Sequence, residues 1–188
     1  MPESRSPFLN EKSINIDLKN RFLAGILTWV MPGLGHYYQG RYAKAVIFFC
    51  CIMPIFITGC ALASSKEVGI ARNVYWSWRP GDMHLWWLAQ APLGPAAIPS
   101  GIQAWTINTG QPPMFGQFMA PPQLAHGDRT GVAPQIDMIR QRLPHFELAT
   151  YFVVIAGLMN LLVIFDAMGG PFVGIRKETK YYDEQEKL

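Results

Sequence analysis

Asp166 and His36 are the residues of this sequence whose side chains could do acid–base chemistry at the edge of an apolar run. Asp166 closes the run 148–166, in which Tyr151 is the other ionisable residue. An ionisable group in or near a membrane span usually faces protein or water and has a partner. His36 can change its charge near neutral pH. Three interpretations of Asp166 stay open: exposure at the membrane surface, a tie to His36 or Arg41, and a role in transport or catalysis.

Asn160 is a second polar residue, deeper in the same run. An amide at such a position typically forms hydrogen bonds between helices. Asn160 and Asp166 are six residues apart, and a helix turns about 100° per residue, so the two side chains point to different sides. The spacing therefore argues against one combined polar site. His36 is expected to hold a turn together rather than to act in catalysis.

The patterns that would indicate an enzyme are missing from the sequence. The remaining histidines, at positions 84, 126 and 145, lack the spacing of metal ligands. Tyr38 stands where a dinucleotide fingerprint beginning at Gly33 and Gly35 would need its third glycine. No serine lies in a nucleophile elbow. We therefore expect no catalytic residue, no cofactor and no metal, and a protein that is not an enzyme.

The composition is typical of a membrane protein. Hydrophobic residues make up 50% of the 188 and charged residues 15%, against about a quarter charged in soluble proteins. The apolar residues cluster in the runs 22–38, 45–64 and 148–166. A helix needs roughly 20 apolar residues to cross the membrane core, so the first run is marginal and the other two come close. The net charge of +3 is too small to indicate nucleic-acid binding.

A glycine-rich, aromatic turn separates the first two runs. Pro32-Gly33 predicts a kink or break in the first run, and broken backbone at membrane depth has to be buried in protein or line a wet cavity. Gly33, Gly35 and Gly40 are expected to let another backbone approach closely. The turn also carries side chains suited to a membrane surface: His36, Tyr37, Tyr38, Arg41, Tyr42 and Lys44.

The chain divides into five segments. They are a polar arm at 1–20, a transmembrane hairpin at 21–65, a Trp/Pro-rich insert at 66–149, a transmembrane helix at 150–168 and a charged tail at 169–188. The insert holds most of the 15 prolines and all but one of the six tryptophans. Its uncharged stretch 85–107 fits either a crossing or a broken segment that is packed in protein or lies at the membrane surface, because its prolines disfavour an ordinary helix. A short helical piece is predicted near 136–142.

Three cysteines, Cys50, Cys51 and Cys60, lie in the second run and are expected to act as small apolar residues. The first run follows a polar arm and has no small-residue cleavage site, so it reads as an uncleaved signal anchor. An alternative is that Ile57-Thr58-Gly59-Cys60 is a lipobox, which would make a lipid-modified Cys60 the mature N-terminus.

Two segments carry a family resemblance. Residues 32–41, with an apolar run directly after them, resemble the turn of the bacterial two-transmembrane-hairpin superfamily, which has a similar Gly-Leu-Gly, aromatic pair and Gly-Arg. Residues 155–167 resemble the closing helix of an uncharacterised planctomycete-type group of such proteins. The resemblance implies an integral membrane protein and no assigned reaction.

The predicted fold is an all-α integral membrane protein: a helical hairpin, a C-terminal transmembrane helix and a partly membrane-associated insert, with three or four crossings. Counting Lys and Arg, four crossings with both termini in the cytoplasm place 11 of the 16 basic residues inside and Arg41 and Lys44 outside. We expect a structural or interaction subunit in the bacterial inner membrane, bound to the lipid bilayer and to a membrane protein partner or a second copy. The alternative is a small transporter or channel component whose broken helices line a path.

Overall fold

The computed structural model describes residues 20–79, 82–109, 111–122 and 134–169. The chain is mostly helical. Its helices are α1 (Arg21–Val30), α2 (Leu34–Tyr38), α3 (Tyr42–Leu62), α4 (Trp87–Gln90), α5 (Ile98–Asn108), α6 (Pro134–Arg142) and α7 (Phe146–Gly169), with a 3₁₀ segment at Ala91–Ala96. Two short antiparallel strands, β1 (Ser77–Arg79) and β2 (Asp82–His84), form a hairpin in the insert. The expectation of a purely helical chain missed this hairpin. The polar arm and most of the charged tail lie outside the described residues.

In the part of the chain that the structure describes, two helices are long and apolar enough to cross a membrane, α3 with a mean hydropathy of 2.5 and α7 with 2.3. They run antiparallel and make the most extensive helix contact of the described residues. Gly59 of α3 allows the close approach, since a Cβ there would lie 2.7 Å from Val153 Cγ2 and 2.9 Å from the Ala149 carbonyl oxygen of α7. The end of the pair where α3 begins and α7 ends is called the turn end, and the opposite end the insert end.

The first apolar run does not form a spanning helix, which corrects the predicted pair of spans in the hairpin. Helix α1 has 10 residues and is about 15 Å long, half the membrane core. The Asn20 side chain caps it by accepting hydrogen bonds from Phe22 N at 3.1 Å and Leu23 N at 3.2 Å. The break predicted at Pro32-Gly33 is confirmed: Gly33 has φ 86°, and the chain reverses into the short helix α2.

Helix α1 lies along α7 near the turn end. A Cβ at Gly25 would lie 2.7 Å from Met168 Cγ. Helix α2 then folds back along α1, because a Cβ at Gly35 would lie 2.0 Å from the Ala24 carbonyl oxygen and 2.2 Å from Thr28 Oγ1. The turn therefore brings α2 back to the turn end, where α3 begins.

The insert packs at the other end of the pair and supplies no spanning helix among its described residues. The stretch 85–107 is broken into α4, the 3₁₀ segment and α5, so its prolines do interrupt a regular helix. Gly94 interrupts it with φ 63°. Helix α6 covers the helical piece predicted near 136–142, and Arg142 and Arg140 form ion pairs with Glu67 and Glu147.

Two apolar clusters hold these elements together. One lies between α3, α7 and the insert, and its members are Ile52, Phe56, Ala71, Val74, Leu93, Met119, Val153, Ala156 and Val163. The other closes the insert end: Ala63, Val68, Tyr75, Ile139, Leu143, Phe146 and Ala149.

Candidate functional site

Asp166 is the centre of a polar cluster at the turn end. One carboxylate oxygen, Oδ2, lies 3.0 Å from His36 Nε2, 3.2 Å from Arg41 Nη2 and 3.2 Å from Lys44 Nζ. The sequence left open a tie to either His36 or Arg41, and the structure places both within contact distance. Lys44, expected only to reach the membrane surface, joins them. Helix α7 is thereby connected to both α2 and the start of α3.

Burial differs sharply within the cluster. The His36 side chain is 0% exposed, Arg41 14%, Asp166 30% and Lys44 46%. Plain exposure at a surface therefore does not describe Asp166. The His36 Nε2 atom is the one that faces the carboxylate, and Nδ1 has no hydrogen-bond partner in the described part of the chain. With His36 neutral, one negative charge faces the two positive charges of Arg41 and Lys44.

Helix α2 positions His36 because two glycines remove obstacles around it. Gly33 precedes the helix with a positive φ, and a Cβ there would lie 2.3 Å from the Ala45 carbonyl oxygen of α3. Gly35 faces the α1 backbone at a similar distance. The His36 ring then packs on Phe48, with ring centroids 5.0 Å apart. The close backbone approach expected from the sequence is thus present at Gly33 and Gly35.

The same expectation is wrong for Gly40. A Cβ at Gly40 would meet no atom within 4 Å. Gly40 instead has φ 78°, a left-handed conformation that glycine adopts without steric cost. Its role is to end α2 and let the chain enter α3. Tyr38, another candidate from the sequence, is half-buried at the end of α2.

Gln39 belongs to the cluster although no residue-level argument singled it out. Its Nε2 donates to the Ala167 carbonyl oxygen at 2.8 Å, and its Oε1 accepts from Arg41 Nη1 at 3.3 Å. It therefore caps the end of α7 and orients the guanidinium at the same time. The sequence feature that could have indicated this role is the position of Gln39 between Tyr38 and Gly40 in the turn motif. A glutamine in a turn, however, is usually expected to be exposed to solvent.

Asn160 lies outside this cluster, as its spacing from Asp166 predicted. Its Nδ2 donates to the Thr28 carbonyl oxygen of α1 at 3.2 Å and to the Pro92 carbonyl oxygen of the 3₁₀ segment at 2.7 Å. The residue is 0% exposed. One side chain of α7 thus binds the backbone of two different broken segments, the role of an interhelical amide.

The cluster has the groups of an acid–base site, but its histidine is fully buried. An open groove of about 490 Å³ lies at the insert end, remote from Asp166, and is lined by residues such as Ile70, Phe115 and Phe118. No group of three His, Cys, Asp or Glu side chains that could hold a metal occurs in residues 20–79, 82–109, 111–122 and 134–169. Cys60, the residue of the lipobox alternative, lies half-buried inside α3.

A family model described as a family of unknown function, DUF6677, matches residues 23–180. The chain belongs to the DUF6677 family. The matched region contains the turn, the insert and α7, so the Asp166 cluster and the Asn160 contacts lie within the family's common region. No curated protein and no solved structure matches the chain. The resemblance to the two-transmembrane-hairpin superfamily stays a prediction.

Proposed function

We propose that this DUF6677 protein is a non-enzymatic integral membrane protein, a structural or interaction subunit of a membrane assembly in the bacterial inner membrane. The observation that carries the proposal is how the Asp166 carboxylate is used. Its contacts are to His36, Arg41 and Lys44 of the same chain, and together they fasten the last helix to the turn. An ion pair that joins helices in this way serves assembly of the fold rather than turnover.

The outer faces of the two long helices support the membrane part of the proposal. In a chain of this size, large apolar side chains exposed in a row mark contact with lipid or protein. On α3 such exposed residues include Val46, Ile47 and Ile57, and on α7 Leu148, Tyr151, Ile155, Leu158, Leu162 and Phe165. Thr150 and Asn160 of α7, by contrast, are buried against its neighbours. This is the arrangement expected of helices that face lipid on one side and protein on the other.

Membrane integration is tested by washing membranes with alkaline carbonate. The chain should stay in the pellet, because α3 and α7 each have the length and hydropathy of a span. Release into the supernatant contradicts the membrane assignment.

The role is tested by purification in mild detergent, with the mass of the detergent-solubilised particle measured and its components identified. A defined homo-oligomer or a stoichiometric complex with another membrane protein supports a structural subunit. A lone monomer that is stabilised by a small solute argues against it.

A small transporter or channel component is the second candidate, and Asn160 is the observation that favours it. The Asn160 Oδ1 atom is buried and has no hydrogen-bond partner in the described residues, and it lies where two broken segments meet, as solute sites of transporters do. Uptake by proteoliposomes, abolished by Asn160→Leu in a chain that still folds, would select this candidate.

A further inference from the structure

The segment α1–α2 has the geometry of a hairpin that enters from the turn end and returns to it. A Cβ at Gly25 of α1 would meet the Met168 side chain, near the end of α7, whereas the Thr28 carbonyl oxygen, further along α1, accepts from Asn160, deeper in α7. Helix α1 therefore runs inward from the turn end. Helix α2 returns along it, and Gln39 is again level with Ala167. The whole excursion begins and ends at the same end of the helix pair.

The segment 85–108 makes the corresponding excursion from the insert end. Its start lies beside the first turns of α7, since the rings of Trp86 and Tyr151 pack edge to face with their centroids 6.4 Å apart. A Cβ at Gly157 would lie 2.0 Å from the Ala89 carbonyl oxygen, and Pro92 reaches Asn160. The chain thus moves inward along α7.

After the 3₁₀ segment the chain turns back to the insert end. Trp87 Nε1 donates to Ser100 Oγ at 2.6 Å, which pairs the outgoing and returning parts. Further along α5, Gln103 Nε2 donates to the Gly116 and Phe118 carbonyl oxygens at 3.1 and 2.8 Å. Phe118 lines the groove beside Ser64, just past the end of α3.

The two hairpins meet at their tips. A Cβ at Gly94 would lie 1.9 Å from the Trp29 carbonyl oxygen, so glycine is required at this contact. Trp29 Nε1 donates to the Ala91 carbonyl oxygen at 3.2 Å, and Asn160 donates to one carbonyl of each hairpin. These donors matter because a backbone group left unpaired in a bilayer is strongly unfavourable. Non-helical backbone at that depth is tolerated when protein groups satisfy it.

We infer that the chain crosses the membrane twice, through α3 and α7, and that two re-entrant hairpins, 21–38 and 85–108, enter from opposite faces and meet at Asn160. The inference rests on the membrane part of the proposed function. It places the start of α1, the turn and the end of α7 on one face, and the described residues between 63 and 145 on the other. In the sequence, the stretches up to residue 21, from 39 to 44 and from 169 onward hold 10 of the 16 Lys and Arg residues, so the positive-inside rule assigns the first face to the cytoplasm.

One cysteine is introduced at a time beside the three native ones, and its labelling by a membrane-impermeant maleimide tests the topology. The cells used are those whose membranes retain the chain after carbonate washing. Arg21→Cys and Tyr42→Cys flank the first hairpin, and Met83→Cys and Thr109→Cys flank the second. All four positions are exposed. The unmodified chain is the control: its three cysteines lie within α3 and are expected to stay unlabelled.

Labelling of the Met83 and Thr109 variants in intact spheroplasts, with labelling of the Arg21 and Tyr42 variants only after permeabilisation, is the expected result. Arg21 and Tyr42 on opposite faces would mean that the first run crosses, and Met83 and Thr109 on opposite faces would mean that 85–107 crosses. Either result overturns the inference. Reversal of both pairs would support the hairpins and overturn the orientation. A chain released by carbonate would instead defeat the proposed function, before any labelling.

Discussion

Asp166→Asn is the most informative single change, because it removes one charge and keeps the size and hydrogen-bonding capacity of the side chain. In the protein, Oδ2 of Asp166 faces His36, Arg41 and Lys44 at 3.0–3.2 Å. The variant leaves two cations near each other. Lys44 is half-exposed and can turn to solvent, but the Arg41 side chain is 14% exposed and cannot do so without moving the turn.

The burial of the pair sets the expected magnitude. Exposed ion pairs contribute about 0–1 kcal/mol, and breaking a fully buried pair costs about 3–5 kcal/mol. Asp166 is 30% exposed, so a loss of about 1–2 kcal/mol in the free energy of unfolding is expected. For a chain of this length that corresponds to a melting temperature lower by about 2–8 °C.

Thermal unfolding in mild detergent, followed by tryptophan fluorescence, measures this loss for Asp166→Asn, Arg41→Gln and the double variant. The double variant should lose less stability than the sum of the single variants, because both remove the same interaction. Glu147→Gln is the matched control. It lies on the same helix and forms an ion pair with Arg140 at 3.1 Å, but both side chains are more than half exposed, so its loss should stay under about 0.5 kcal/mol.

Additive effects, within about 0.5 kcal/mol, would refute the proposed tie between Asp166 and Arg41. So would an Asp166→Asn variant as stable as the unmodified chain. If that stable variant also lost a transport activity, Asp166 would belong to the transporter alternative instead.

Three further predictions concern other parts of the fold. Gly35→Ala should sharply lower the yield of monodisperse protein in gel filtration, because its Cβ would lie 2.0 Å from a backbone oxygen of α1; Gly101→Ala, whose Cβ would meet a ring atom at 3.5 Å, is the control and should behave normally. Asn160→Leu should lower stability by about 2 kcal/mol, since two carbonyls lose their donor; an unchanged melting temperature would contradict the bridging role. Burial lowers the pKa of His84 from 6.5 to about 4, so between these two pH values the unfolded chain binds a proton at His84 and the folded chain does not. The free energy of unfolding should therefore be highest above pH 6.5 and fall by up to about 3 kcal/mol towards pH 4. The His84→Phe variant, which keeps a ring stacked on Tyr75, should show a smaller fall. Identical pH profiles for the two proteins would exclude His84 as the cause.

Local sequence patterns were enough to predict several features of the fold. Length and hydropathy predicted the helices that became α3 and α7, since a long uncharged run has few other stable conformations. Pro32-Gly33 predicted the break in the first run, because proline removes a donor and Gly33 adopts a positive φ. The absence of charge, however, was the same in the long helices α3 and α7 and in the broken stretches 22–38 and 85–107. Whether an apolar run forms one continuous helix therefore could not be read from hydropathy.

The partners of the polar residues were decided by the tertiary structure alone. Sequence spacing told Asp166 and Asn160 apart, because it depends only on the period of the helix. Asp166 contacts Lys44 as well as His36 because α2 folds back along α1 and returns the chain to the end of α7. Lys44 and Asp166 are more than 120 residues apart in the sequence. The carbonyl acceptors of Asn160 and the capping role of Gln39 likewise arise from long-range packing, which no local pattern encodes.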